Sequence, residues 1–245
     1  MRETSALYKS ILSSPHRKEA KIEVYDSTGE TLVATFGENR LISLSTERSL
    51  FSKDTFCIGS CACGEIDVEF FPLDDNDEQV TIPRMAMIKP FYRLASVEDE
   101  TVVSEWIQKG VFFTDTRSIN KVNGAIKIHG FDAMLKAENN YPSDDANSYP
   151  LANDAALVDI IANAMGVQVD SRTYDIITGD HQIGLPLGYS QREVLSGIAA
   201  MHFANFCISD EGKLLAVGIV MGDTVTAFGD EDGNVILIGG VGIVV

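Results

Sequence analysis

The side chains with the most chemical potential lie at Cys57-Ile-Gly-Ser-Cys61-Ala-Cys63. Three thiolates with a fourth ligand can hold zinc, because soft sulfur suits that ion. The spacing lacks a Cys-x-x-Cys knuckle, and no second Cys or His pair follows at the expected distance. The competing reading is a small-residue loop or strand edge in which cysteine is a compact apolar filler. Sequence alone leaves metal binding at this cluster open. Cys207 alternates with Phe206 and Ile208 and reads as core.

His16, His129, His181 and His202 are scattered. None forms His-x-x-x-His and none neighbours a Glu in a metalloprotease pattern. His129, beside Ile128, reads as a sheet-face histidine. The acidic runs Asp74–Glu78 and Asp230–Asp232 offer hard oxygen ligands, but neither carries the alternating acids, central Gly and terminal Glu of a calcium loop. They read as solvated turns. Glu105 beside Trp106 supplies one carboxyl where glycoside cleavage needs two, so Trp106 reads as a packing residue. Gly-x-Ser-x-Gly, the P-loop and Gly-x-Gly-x-x-Gly are absent. No residue is assigned a catalytic, cofactor-binding or metal role, no cofactor is expected, and the chain is read as a non-enzyme.

The elements that would position such groups change character along the chain. Its 245 residues suffice for one large domain or two small ones. The 19 Lys+Arg against 36 Asp+Glu give a formal charge of −17, which repels phosphates and anionic headgroups. Specific nucleic-acid binding is therefore not expected, although an acidic wall past which DNA slides fits the same charge. No run of about eighteen apolar residues offers a membrane span. Met1–Ser14 lacks the apolar segment of a signal peptide, so the chain is expected to start in a cytoplasm, with its four cysteines as thiols.

Residues 4–12 predict a short helix, with Leu7 and Ile11 on one face and Pro15 ending it. Period-2 patterning follows. A hairpin joins the segment of Ile22 and Val24 to Leu32–Phe36, and strands are predicted at 41–46, 65–71, 80–88, 91–96, 111–118 and 124–129. Short strands at this spacing argue for a sandwich or partly closed barrel rather than βαβ units. Residues 131–137 then predict a short helix. Asn153 caps a helix running to Met165, with Gly166 as its stop. Residues 170–188 read as a strand or loop excursion. Ser190 and Glu193 form a capping box ahead of Val194, Leu195, Ile198 and Met201. Strands return at 203–209 and 213–220, and a last hairpin joins 224–228 to Val235 onward. The run from Val235 to Val245 ends apolar, so either it tucks into a sheet or the chain continues in a longer polypeptide.

The fold class expected is α+β: a β-barrel-like region of predominantly antiparallel strands with short helices. Its divisions are a β-rich domain over residues 1–137 and a mixed helix and strand domain over 138–245. Three stretches in this order carry a resemblance. They are Gly110-Val-Phe-Phe-Thr-Asp-Thr-Arg-Ser-Ile-Asn with the following 125–136 segment, the 153–166 helix, and 189–214 with its Asp-Glu-Gly-Lys hairpin. Together they resemble the N-terminal hub region of the baseplate hub, or tail-associated protein, of prophages and siphophages, similar to the trimeric hub of contractile tails. The likeness spans roughly residues 20–220 and rests on order and spacing, without a diagnostic motif. It implies a virion tail protein assembled in a bacterial cytoplasm. It also implies a homotrimeric ring that connects the tail tube or distal tail protein to the tip, with the tape measure protein as a further partner and DNA passing down the axis. The alternatives are a tail-associated cell-wall hydrolase, which needs a paired carboxylate or metal site, and a host carbohydrate-binding module, which needs exposed aromatics.

Overall fold

Alternating apolar residues in the first half build one antiparallel sheet, and helical periodicity in the second half builds the elements that pack beside it. A computed structural model of the chain describes residues 4–51, 57–74, 76–99, 101–142, 152–184, 188–218, 228–229 and 235–236. Helix α1 (Ala6–Leu12) begins at Ser5, whose hydroxyl accepts the Tyr8 N–H at 3.0 Å; Ile11 is buried, while Leu7 is exposed. Strands β1 (His16–Tyr25) and β2 (Leu32–Phe36) make the expected hairpin. Strands β3 (Leu41–Glu47), β4 (Glu65–Phe70), β5 (Met87–Ser96), β6 (Ile107–Gln108), β7 (Phe112–Ile119) and β8 (Ile126–Asp132) follow.

The sheet order is β2-β1-β5-β7-β8-β4-β3, with β6 beside β5, and every ladder is antiparallel. The end strands β2 and β3 share no ladder among the described residues. One face is apolar. Ile22, Val24, Phe36, Ile66, Val68, Phe70, Ile88, Phe112, Ile126 and Ile128 form a single buried cluster. Strand β4 shows the logic most clearly, with Ile66, Val68 and Phe70 inward and Glu65 and Asp67 exposed.

Two local features shape the sheet. Strand β5 runs unbroken through Pro90, where the sequence predicts separate strands at 80–88 and 91–96. The Pro90 carbonyl accepts the Lys109 N–H at 2.8 Å, so its edge points away from β1. On that side β7 pairs only with Met87 and Ile88, and β6 only with Phe91 and Tyr92. The missing proline N–H thus faces Lys109, just past the end of β6, and takes no bond from the β1 ladder. At Gly130 in β8, an added Cβ would lie 2.5 Å from the Phe113 carbonyl oxygen, next to the register shift between Thr114 and Thr116. Only glycine lets the two backbones approach so closely.

A 3₁₀ turn over Ala133–Glu138, capped by Asp132, leads from the sheet into the second cluster. Helix α2 (Asp154–Met165) is capped by Asn153, which accepts the Ala156 N–H at 2.7 Å, and stops at Gly166 with φ 71°. The two-residue strands β9 (Ala152–Asn153) and β10 (Gln182–Ile183) pair across the expected excursion, which also contains a 3₁₀ turn at Ser171–Asp175. Helix α3 (Gln191–Met201) carries the predicted capping box. Strands β11 (Ala204–Ile208) and β12 (Leu214–Gly218) pair through the predicted Asp210-Glu211-Gly212 turn. Of the C-terminal hairpin, β13 (Phe228–Gly229) pairs with β14 (Val235–Ile236); the rest of the apolar terminus lies outside the described residues.

Met134, Leu157, Ile161, Met165, Leu195, Ile198, Phe206, Ile208 and Leu214 form the second buried core, joined by Cys61 from the loop before β4. The α+β class and the antiparallel pairing read from the sequence hold.

Candidate functional site

The three clustered cysteines do not converge. Asn205 Nδ2 donates to the Cys57 carbonyl at 2.9 Å, Cys61 Sγ accepts the Ser196 hydroxyl at 3.4 Å, and Cys63 Sγ donates to Asp132 Oδ1 at 3.3 Å. Burial pushes the Cys61 thiol up to about 11, and burial with the Asp132 charge pushes Cys63 up to about 12. Both are therefore thiols at neutral pH and poor nucleophiles. Cys207 points away from Phe206 and Ile208 and lines a cleft of about 600 Å³. In that cleft Arg48 pairs with Asp210 at 2.5 Å, and Arg172 grips Asp170 through two bonds of 2.8 Å. Burial raises the Cys207 thiol to about 11, so this charged cleft presents no activated nucleophile.

The remaining sequence candidates have structural partners. Asp74 Oδ1 accepts the Asn76 and Glu78 amides of its own turn at 2.8 and 2.9 Å. The Asp230–Asp232 run lies outside the described residues. Glu105 accepts the Ser5 N–H at 2.9 Å and its hydroxyl at 2.6 Å, tying the start of α1 to the sheet. Trp106 packs under the Arg93 guanidinium, 4.5 Å from the ring centre. His16 Nδ1 lies 2.8 Å from the Ser14 carbonyl oxygen. His129, opposite Asp67 on the β4–β8 ladder, lies 3.4 Å from its carboxylate and edge-on to Phe131.

His181 and His202, scattered in sequence, meet at Asp154. The carboxylate is fully buried at the first turn of α2. Its Oδ1 accepts the Ala155 N–H at 2.9 Å, and its Oδ2 lies 2.6 Å from His202 Nε2 and 3.3 Å from His181 Nδ1. The two rings stand edge to face, 5.0 Å between centres. Burial pushes the carboxyl upward, but the His202 hydrogen bond, the Ala155 amide and both imidazoles outweigh it and hold the group below the usual range. This is the one group of three ligand-type side chains with converging atoms among the described residues. Sequence reasoning missed it because the partners lie on separate elements. The available signal was His202, four residues beyond Ile198 and so in register with the apolar face of α3.

The other candidate surface is backbone. Strand β2 pairs only with β1 and strand β3 only with β4 among the described residues, so each has one border with no ladder. Ile42 on β3 and Leu32 on β2 are about half exposed, and Val122, at the tip of the β7–β8 hairpin, is 96% exposed. No described helix is long and apolar enough to cross a membrane.

The antiparallel sheet with its helices and second core is similar in fold to a solved tail-protein structure. The 43 kDa tail protein of prophage MuSo2 from Shewanella oneidensis aligns with a TM-score of 0.51 at 13% identity over 88% of this chain. The chain spans 59% of that protein's length. Two structures of the Francisella PdpA-VgrG complex, half-lidded and lidless, align at a TM-score of 0.42 and 12% identity. They cover 85% and 82% of this chain and 33% and 35% of theirs. No protein-family model matches the chain, and no curated protein does. The likeness to a prophage tail protein agrees with the resemblance read from the sequence, and the α+β class holds without a closed barrel among the described residues.

Proposed function

We propose that this chain is a structural subunit of a phage or prophage tail tip, the hub that joins the tail tube or distal tail protein to the tip. The observation that carries the reading is the pair of sheet borders, β2 and β3, each laddered on one side only among the described residues, in a fold shared with a prophage tail protein. An unpaired strand border is a template for a neighbouring strand, and closed rings arise when the same heterologous contact repeats around an axis. In this reading three copies form the ring, the tape measure protein meets it from inside, and DNA passes an acidic wall supplied by the −17 charge. The division into 1–137 and 138–245 belongs to the same proposal. It is supported by the two buried clusters, although the 3₁₀ turn before residue 138 packs in the second.

The chain is read as non-enzymatic. The carboxylates and thiols that invited catalytic readings are engaged in caps, turns and ion pairs, and the comparisons indicate no enzyme family. Assembly takes place in the host cytoplasm before incorporation into the virion tail.

Light scattering across a concentration series, with electron microscopy of the largest species, tests the proposal. A threefold mass and ring particles are expected. Ile42→Lys, on the border of β3, is expected to lower self-association while leaving the melting curve of the dilute chain unchanged. A strict monomer at high concentration, or self-association indifferent to β2 and β3 variants, refutes the ring.

A further inference from the structure

We propose that Asp154, His181 and His202 form a binding site for a divalent transition metal, zinc by chemical class, that clips together the start of α2, the loop before β10 and the end of α3. Two imidazole nitrogens and one carboxylate oxygen face one another, with all three ligand atoms within 4.8 Å. Hard cations prefer sets built from oxygen, whereas imidazole with one carboxylate suits zinc and its neighbours.

The distances are close to those a metal needs. With metal–ligand bonds of about 2.0–2.2 Å in a tetrahedron, ligand atoms stand roughly 3.3 Å apart. Asp154 Oδ2 and His181 Nδ1 are already separated by 3.3 Å. Asp154 Oδ2 and His202 Nε2, at 2.6 Å, share a hydrogen bond and must part by a fraction of an ångström. Loading replaces that bond: each imidazole coordinates as the neutral ring through a lone pair, and the proton on the coordinating nitrogen moves to the ring's other nitrogen or to solvent.

The frame around the ligands is largely built before any ion arrives. The Asp154 N–H donates to the His181 carbonyl at 3.0 Å, and the next two residues after His181 pair with Asn153 and Ala152. His202 is the C-cap of α3, its own N–H bonded to carbonyls of the last turn. A ligand set held by ladder and cap leaves little to organise on binding. The buried Asp154 carboxylate lies against the two imidazoles, so a cation placed between the three groups would neutralise a charge that no lysine or arginine ion pair meets among the described residues. His181 is half exposed and opens one side of the site, giving the ion an entry path and water the fourth position.

The test is zinc titration of the full chain, stripped with chelator, in competition with a chromophoric chelator, followed by cobalt substitution and visible spectroscopy. One equivalent of zinc, a tetrahedral cobalt spectrum and a zinc-dependent rise in melting temperature are expected. His181→Ala removes a half-exposed ring and should weaken zinc binding by about tenfold or more and abolish the zinc-dependent thermal shift. A C57S/C61S/C63S variant should bind zinc as the parent does. Absence of saturable binding at micromolar zinc, undiminished binding by His181→Ala, or loss of binding in the cysteine variant each overturns the site.

Discussion

Replacing Asp132 probes the joint between the two cores. This carboxylate ends β8 and caps the following 3₁₀ turn: Oδ1 accepts the Met134 N–H at 2.9 Å, and Oδ2 accepts the Gly64 N–H at 2.8 Å. Both amides are buried contacts, and the Cys63 thiol donates to Oδ1 as well. Asp132→Ala strands two buried donors, each worth about 1–3 kcal/mol when left unmade. The loss is partly offset, because burial disfavours the ionised carboxylate and pushes its pKa upward, so deleting the charge removes a cost. The net expectation is a loss of about 2–4 kcal/mol, equivalent to roughly 4–16 °C in melting temperature for a chain of this size. Asp132→Asn keeps the acceptor for Met134 and sets an NH₂ against the Gly64 amide, so it should lose about half as much. Urea denaturation of both variants, compared at matched slope, supplies the measurement. An Asp132→Ala protein within about 0.5 kcal/mol of the parent would refute the reasoning that this side chain secures the joint.

Further outcomes follow from other close contacts. Gly130→Ala drives a Cβ to 2.5 Å from the Phe113 carbonyl and should destabilise by about 1–3 kcal/mol, read as a lower urea midpoint; an unchanged midpoint would show that the β7–β8 pair can spread freely. Ser190→Ala removes the hydroxyl half of the α3 capping box and should reduce stability by about 1 kcal/mol, whereas Ser190→Asp should retain most of it. Asp170 is held down to about 2, first by its hydrogen bonds to the Arg172 guanidinium, against 3.8 when unfolded. A depressed carboxyl stabilises above its unfolded pKa, so its contribution should be intact above about pH 4 and fade as pH falls toward 2. The stability profile of Asp170→Asn should be flatter over that window, modestly so because Arg172 is half exposed.

Much of the fold is legible because its signals are local. Ile66, Val68 and Phe70 alternate with acids, and a strand that must bury one face has no other way to lie. Gly166 and the Ser190–Glu193 pair mark helix ends because capping is settled within four residues. Strand β5 is not legible as one element. A proline reads as a break, and only the position of β6 reveals that its missing N–H points away from the β1 ladder, toward Lys109 where β6 has ended. The cysteine cluster misleads for a related reason. Sequence proximity puts Cys57, Cys61 and Cys63 side by side, but the Cys61 and Cys63 sulfurs go to separate partners and the three form no converging ligand set.

The end of α3 shows where local reasoning yields to the tertiary fold. The apolar period over Val194, Leu195 and Ile198 suggests that Met201 completes the buried face, yet Met201 is 44% exposed and Ala199 is buried in the core. The position four residues beyond Ile198 belongs to His202, whose side chain is 9% exposed. A histidine in that register requires a polar partner, because an imidazole buried without one loses its hydration and gains nothing in return. Asp154, 48 residues earlier and wholly buried, supplies that partner, and has the reciprocal need. Neither residue is explicable by its own neighbours in sequence. Each is tolerated in the interior because the packing of α2 against α3 brings the other to it, and that same enforced meeting places His181 within reach as a third ligand.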